Sequence, residues 1–239
     1  MKALAFMGGV IAACAGIAGG QTVVFDFDNA PVHTSLPVNV TVAPVTASLS
    51  ASGQGMSIQY ANTMGFTPVG FGGLCIYPNS GSQSDLTIGF DKDLSACSIM
   101  FAPQELGCDD TARMRISAYM GSTWMGDATA RAPQPGTWPV GTLSYADARG
   151  FNTVVVHYDL APTCGDRGPI FMADNMTVTV LGAPCAADYD GNGALAVADI
   201  FAFINGWFAG EARADFDASG ALAVADIFAF LNAWFAGCP

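Results

Sequence analysis

From residue 22 to about 180 the chain alternates apolar and polar positions with a period of two. The segments VVFDF (23–27), LTIGF (86–90), RISAYM (115–120), TVVVHY (153–158) and MTVTV (176–180) are rich in β-branched residues, and clusters of Gly, Pro, Asn and Ser separate them. No window here carries the 3.6-residue period of an amphipathic helix. About ten short strands of this kind predict a β-sandwich with jelly-roll topology.

Past residue 182 the period changes. Within the run 199–209, Ile200, Phe203, Ile204 and Trp207 recur at helical spacing, and Ile227, Phe230, Leu231 and Trp234 repeat the arrangement. Segments 188–210 and 215–237 differ only at Tyr189/Phe216, Gly191/Ala218, Asn192/Ser219, Ile204/Leu231 and Gly206/Ala233, which marks an internal duplication. The expected organisation is a mainly β domain over 21–181 followed by a small all-α domain over 182–239. Phe201, Phe208, Phe228 and Phe235 fall outside the apolar stripes. A module this small has little interior, so these rings are expected at the surface, as partner-binding residues or in contact with the first domain.

Each repeat opens with an acidic twelve-residue loop, 188–199 and 215–226. Oxygen-bearing side chains stand at positions 1, 3, 5 and 12: Asp188, Asp190, Asn192 and Asp199, then Asp215, Asp217, Ser219 and Asp226. Position 6 is Gly193 or Gly220, and position 7 offers the carbonyl of Ala194 or Ala221. A hard cation takes about six to eight oxygens, and a loop supplies them by pointing alternate residues inward, turning at a glycine and closing with a carboxylate. The spacing predicts two Ca2+ ions.

A loop followed by one helix, twice, with no room for a helix before either loop and Asp in place of Glu as the closing ligand, resembles the dockerin module of secreted bacterial proteins. Cys185 and the terminal AGCP (236–239) are similar to the ends of GC-type dockerins. The resemblance covers about 185–239 and implies a module with two EF-hand-type loops, folded by calcium, that binds a protein receptor, cohesin-like or another surface anchor. Two departures stand out. Position 9 is Ala196 or Ala223, where dockerins often carry a polar side chain, and the expected contact positions Val197, Ala198, Val224 and Ala225 lack the Ser, Thr, Lys and Arg of dockerins that recognise ordinary cohesins. A bridge between Cys185 and Cys238 would join the ends of the module. On the chain-entropy model it would stabilise the module by roughly 4 kcal/mol.

The remaining chemistry is sparse. The opening MKALAFMGGVIAACAGIAGG has one charge, an apolar run and small residues at its end, and predicts a signal peptide over 1–20, with Ile11–Cys14 as an alternative lipoprotein box. The protein is therefore expected to be secreted, extracellular or at the cell surface, and no later stretch is long enough for a membrane span. A formal net charge of −12 argues against nucleic acid as a partner. Six cysteines besides Cys14 suggest disulfides. Of the pairings open to Cys75, Cys97, Cys108 and Cys164, the favoured set joins Cys97 to Cys108 and Cys75 to Cys164.

FMADNMTVTV (171–180) resembles the last strand of secreted jelly-roll modules, carbohydrate-binding ones among them, and implies a binding or adhesive role. A third, structural ion between Asp174, Asp26 and Asp28 is open if the first and last strands are neighbours; solvated carboxylates are the alternative. Trp124 and Trp138, with Tyr119 and Tyr145 behind them, are candidate sugar-stacking residues; core tryptophans at the ends of the sandwich are the alternative. After residue 20 the chain has only Glu105 and Glu211 as glutamates, and no nucleophile or metalloprotease motif occurs. The sequence thus reads as a non-catalytic protein in which a calcium-dependent tail attaches an adhesive or polysaccharide-binding sandwich to a surface or assembly. A structural envelope protein and, less favoured, a small polysaccharide hydrolase are the alternatives.

Overall fold

The computed structural model describes residues 20–237 apart from 64, 82, 105–111, 133–137, 162–168, 183, 184 and 193. They form two compact units that meet in sequence between Leu181 and Gly182.

The first unit is all β. Its strands are β1 (Thr22–Phe25), β2 (Thr34–Ser35), β3 (Val38–Val42), β4 (Val45–Ala51), β5 (Met56–Tyr60), β6 (Leu74–Pro78), β7 (Leu86–Pro103), β8 (Arg113–Met120), β9 (Thr123–Ala130), β10 (Gly141–Leu160) and β11 (Phe171–Val180). All pairings are antiparallel. Two strands, β7 with 18 residues and β10 with 20, are far longer than the short strands expected. The start of β7 pairs with β4 and the end of β10, while the end of β7 pairs with β11 and the start of β10. The β7–β10 register breaks between Ala146 and Thr153, where both strands cross from one layer to the other. One layer therefore runs β3-β4-β7-β10-β8-β9, and the other runs β2-β5-β6-β11-β7-β10, with β1 also on β11. The exposed Asp91, Lys92 and Asp93 at the bend of β7 read as a turn in sequence, although the chain continues as strand through them.

Alternation sends one face of each layer inward. Ile88, Ile116 and Val154 from the first layer meet Phe25, Phe101 and Val178 from the second in one buried cluster. The outer face of the second layer is capped by another apolar cluster, in which Phe71, Cys75, Trp138, Ile170 and Met172 are buried. Cys97 lies in the main core and Cys75 in this cap, and both are free thiols. The favoured bridges Cys97–Cys108 and Cys75–Cys164 are thus corrected: β7 and β6 turn these two sulfurs into apolar interiors. Cys108 and Cys164 themselves lie outside the described residues. Burial pushes the Cys97 thiol up to about 12 and raises the Cys75 thiol strongly, the latter helped by nearby Asp174.

The second unit has helices α1 (Val197–Ala209) and α2 (Val224–Ala236), with a 3-10 turn at Ala212–Ala214 between them. Both helices start two residues before the expected run, with Ala196 and Ala223 as N-caps, and α1 ends where Gly210 adopts a left-handed conformation that donates back to the carbonyls of Gly206 and Trp207. Of each apolar stripe only one ring reaches the centre. Phe203 and Phe230 are fully buried and stacked at 4.1 Å between centroids, 1° from parallel. Tyr189 stands edge-on to both, and so does Phe216. Four rings from the two repeats make the core.

Two of the differences between the repeats are linked through this packing. A Cβ at Gly206 would lie 2.5 Å from the Tyr189 hydroxyl, closer than real contacts allow. In the second repeat the corresponding pair is Phe216 and Ala233, a ring without the hydroxyl and a residue with the methyl. Gly206→Ala is therefore expected to destabilise the tail by about 1–3 kcal/mol through overpacking, and Tyr189→Phe in the same chain is expected to recover most of the loss. Thermal unfolding of the two single variants and the double variant, followed by far-ultraviolet helix signal, measures the coupling; simple additivity would refute it.

Candidate functional site

In each acidic loop three carboxylates gather. Each of Asp188, Asp190 and Asp199 offers a carboxylate oxygen within 4.8 Å of the others, and Asp215, Asp217 and Asp226 do the same. Backbone amides fold each loop around its carboxylates. The Asn192 N–H donates to Asp188 Oδ1 and Asp190 Oδ1, both at 3.1 Å, and the Ser219 N–H donates to Asp215 Oδ1 and Asp217 Oδ1 at 2.9 and 3.0 Å. The Asn192 side chain turns back to accept the Ala194 N–H at 2.8 Å. Ser219 Oγ donates to the Ala221 carbonyl at 3.2 Å.

Position 12 joins loop to helix. Asp199 and Asp226 have no exposed surface. Asp199 Oδ2 accepts the N–H of the N-cap Ala196 at 2.8 Å and its Oδ1 accepts the N–H of Asp190 at 3.1 Å; Asp226 treats Ala223 and Asp217 the same way, at 2.7 and 3.2 Å. Each carboxylate thus supplies half of a capping box while closing its loop. The Ala223 amide holds the Asp226 carboxyl below its ordinary value. A feature without sequence signal crosses between repeats: Trp207 Nε1 donates to the Ala223 carbonyl and Trp234 Nε1 to the Ala196 carbonyl, each at 3.1 Å. Position 9, without a polar side chain, is thereby tied through its backbone to the other helix.

The charge balance bears on whether these residues fit a metal. Arg213 is the sole basic residue of segment 182–239. It is spent on Glu211 at 2.8 Å, the Tyr189 carbonyl at 3.0 Å and the Tyr189 ring at 3.9 Å. Six loop carboxylates gather in two groups, three to each loop. The donors are all oxygen, which suits a hard divalent cation over zinc or copper. The residues present fit calcium.

The four rings outside the helical stripes are exposed: Phe201 66%, Phe208 78%, Phe228 63% and Phe235 76%. Trp207 and Phe208 touch edge to face, as do Trp234 and Phe235. Cys185 is disulfide-bonded; Cys238 lies outside the described residues.

In the sandwich the candidate residues separate. Trp124 is 60% exposed on β9, whereas Trp138 is only 3% exposed, in the apolar cap beside Phe66. Trp138 is corrected from a surface candidate to a core residue; its Pro- and Gly-rich surroundings resembled a surface loop in sequence, but the indole packs in the cluster of Phe71, Cys75 and Met172. Tyr145 is also turned inward, against Phe151. β1 does pair with β11, as the third-ion idea required. Yet Asp26, Asp28 and Asp174 form no trio as tight as those of the loops, and each is engaged with backbone. Asp174 accepts from Gly72 and Asn175 at 3.1 and 2.7 Å, Asp28 from Leu74 at 2.6 Å, and Asp26 from Asp28 at 3.1 Å.

Strand register also assembles a group that no motif announced. On the outer face of the first layer, Arg115 reaches Asp159 and, at 2.6 Å, Asp127, while Arg113 pairs with Asp159. These bonds, from Arg115 first and then Arg113, hold the Asp159 carboxyl below its ordinary value. His157 Nε2 lies 3.2 Å from Ser117 Oγ, and His157 Nδ1 lies 3.1 Å from the Tyr158 carbonyl. A hydroxyl beside an imidazole could begin nucleophilic chemistry, but among the described residues no carboxylate orients this ring, and both residues sit within paired strands whose amides serve the ladder. Glu105 lies outside the described residues.

No protein-family model matches the chain, and no curated protein does. Among solved structures it is similar to TmCBM61, determined in complex with β-1,4-galactotriose, at 10% identity and a TM-score of 0.37, over 58% of this chain and 89% of that one. It is also similar to the C-terminal CBM6 of LamC from Zobellia galactanivorans, at 12% identity and a TM-score of 0.31, over 66% and 99%. A family 35 carbohydrate-binding module from Clostridium thermocellum aligns at 12% identity and a TM-score of 0.32, over 66% and 97%.

Burial, with Asp28 and Asp26 adding repulsion, raises the Asp174 carboxyl to about 7 against the opposing bonds from Gly72 and Asn175. Its folded value thus exceeds the unfolded value of about 3.9, so its contribution to stability is complete below about pH 4 and is lost as pH rises towards 7. Melting curves in chelator between pH 4 and 8 should show the wild-type sandwich losing stability relative to Asp174→Asn across that window. Parallel curves would mean that Asp174 is ionised throughout.

Proposed function

We propose that this is an exported, non-catalytic protein whose dockerin-like tail, folded by calcium, attaches a carbohydrate-binding β-sandwich to a surface or extracellular assembly by binding another protein. The observation that carries the reading is the pair of all-oxygen carboxylate trios, each closed by a buried aspartate, Asp199 or Asp226. Asp188, Asp190, Asn192, the Ala194 carbonyl and Asp199 would hold one calcium ion; Asp215, Asp217, Ser219, the Ala221 carbonyl and Asp226 would hold the other. A bound ion would place positive charge among the carboxylates of each trio, and in so small a module that charge is folding energy.

What the tail offers a partner is aromatic surface. Phe201 and Phe208 on α1, and Phe228 and Phe235 on α2, remain outside the core because the four-ring box is already filled. Exposed apolar groups at repeated positions of a duplicated module support a protein-binding face, and the absence of basic residues from both helices supports a receptor unlike those that read Lys and Arg. Among the described residues no helix is long and apolar enough to cross a membrane, so the reading assigns anchoring to this face.

Calorimetric titration of the metal-stripped full chain with calcium tests the reading. Two ions should bind with a gain of helix and a change in tryptophan emission, because Trp207 and Trp234 contact the loop carbonyls. Asp199→Ala and Asp226→Ala should each remove one ion from the stoichiometry. An absence of binding, or binding with no structural response, would sink the calcium-folded module.

A further inference from the structure

Resting on the carbohydrate-binding reading of the sandwich, we propose that its ligand is a neutral glycan chain lying across the outer face of the first layer, with Trp124 as the stacking platform. Among the described residues the two layers differ in what covers them. The second is capped by the cluster around Trp138 and Phe71, whereas the first presents outward side chains along six strands, about 24 Å across at ordinary strand spacing. Register fixes who stands on this face: Trp124 opposite Tyr119, Asp127 opposite Ser117, Arg115 opposite His157, and Ser48 opposite Asn39.

The side-chain types favour sugar over other occupants. Trp124 is a large apolar plane, 60% exposed, directly across from a second aromatic on an otherwise polar face. Sugar rings offer a CH face that such a plane can cover and hydroxyls that need donors and acceptors around it. Those are at hand: the guanidinium–carboxylate network of Arg115, Asp159 and Asp127 beside the aromatic pair, and the exposed Asn39 and Ser48 at the far end of the layer. A protein interface would be centred on apolar groups and depleted of charge, which this face is not.

Charge selects the glycan class. Arg113 is bonded to Asp159, and Arg115 to both Asp159 and Asp127, so the network of two guanidiniums and two carboxylates offers no surplus positive charge. The chain as a whole carries a formal −12. A uronate or sulfated chain would meet repulsion without a counter-charge. A neutral chain loses nothing, and its hydroxyls can both donate to the carboxylates and accept from the guanidinium groups.

The test is binding of the calcium-loaded full chain to soluble β-glucan, xylan and galactan, with alginate as the acidic counter-probe, by affinity electrophoresis and calorimetry. The expected result is retention by at least one neutral polymer and not by alginate. Trp124→Ala should weaken it about tenfold or more, Trp124→Phe should recover part of that, and Phe201→Ala with Phe228→Ala should leave it unchanged. Trp124 is exposed, so an unaltered melting temperature would show that the variant is folded. Retention that survives Trp124→Ala would overturn this face while leaving the carbohydrate reading intact. Binding to alginate alone would overturn the neutral ligand, and no binding to any polymer would remove the carbohydrate reading itself, whatever calcium does to the tail.

Discussion

The tail depends on one carboxylate in each repeat. Asp199 and Asp226 close the acidic loop, cap the helix that follows and are completely buried. A buried carboxylate is tolerated only where hydrogen bonds or a cation compensate it. Each of these has two backbone donors, and each faces two further carboxylates. Loop, helix start and charge balance therefore cannot be adjusted independently. The aromatic core follows, because the helices that carry Phe203 and Phe230 begin where those two aspartates place them. The indoles of Trp207 and Trp234, bonded to the N-cap carbonyl of the opposite repeat, then make each loop sensitive to the helix of the other.

The sandwich solves a different problem. Two layers that must enclose one core are joined by strands β7 and β10, which run through both. This removes connections that would otherwise have to be closed by loops, and it places consecutive residues of one strand in two sheets. The polar face of the first layer and the capped face of the second are therefore parts of one continuous framework.

Much of this was legible in the sequence where periodicity or repetition carried it. Alternation pointed to strands at 23–27, 86–90 and 176–180, the first of which ends at Phe25, and the duplication marked the two acidic segments whose carboxylates gather, since oxygen spacing is a local property. What failed was whatever depends on distant partners. Asp91-Lys92-Asp93 reads as a turn unless it is known that β7 must cross between layers. Trp138 sits among Gly and Pro like a loop tip, and only the fold over Cys75 and Met172 buries it. The expected bridges Cys97–Cys108 and Cys75–Cys164 took no account of strand direction, which decides where a sulfur points and buries both thiols. The Arg115–Asp159 and Ser117–His157 contacts arise from register between β8 and β10, which no single segment encodes.

The hydroxyl of Tyr189 over Gly206, matched by Phe216 with Ala233, bears on how the repeated tail can change over time. Two stretches of nearly identical coding sequence invite one to overwrite the other. Copying a single one of these positions across would set a hydroxyl against a methyl or leave a gap in a core of four rings. The two halves are thus held apart by paired differences: each is free to drift only together with its own partner position, and the duplication keeps a first half and a second half that are no longer interchangeable.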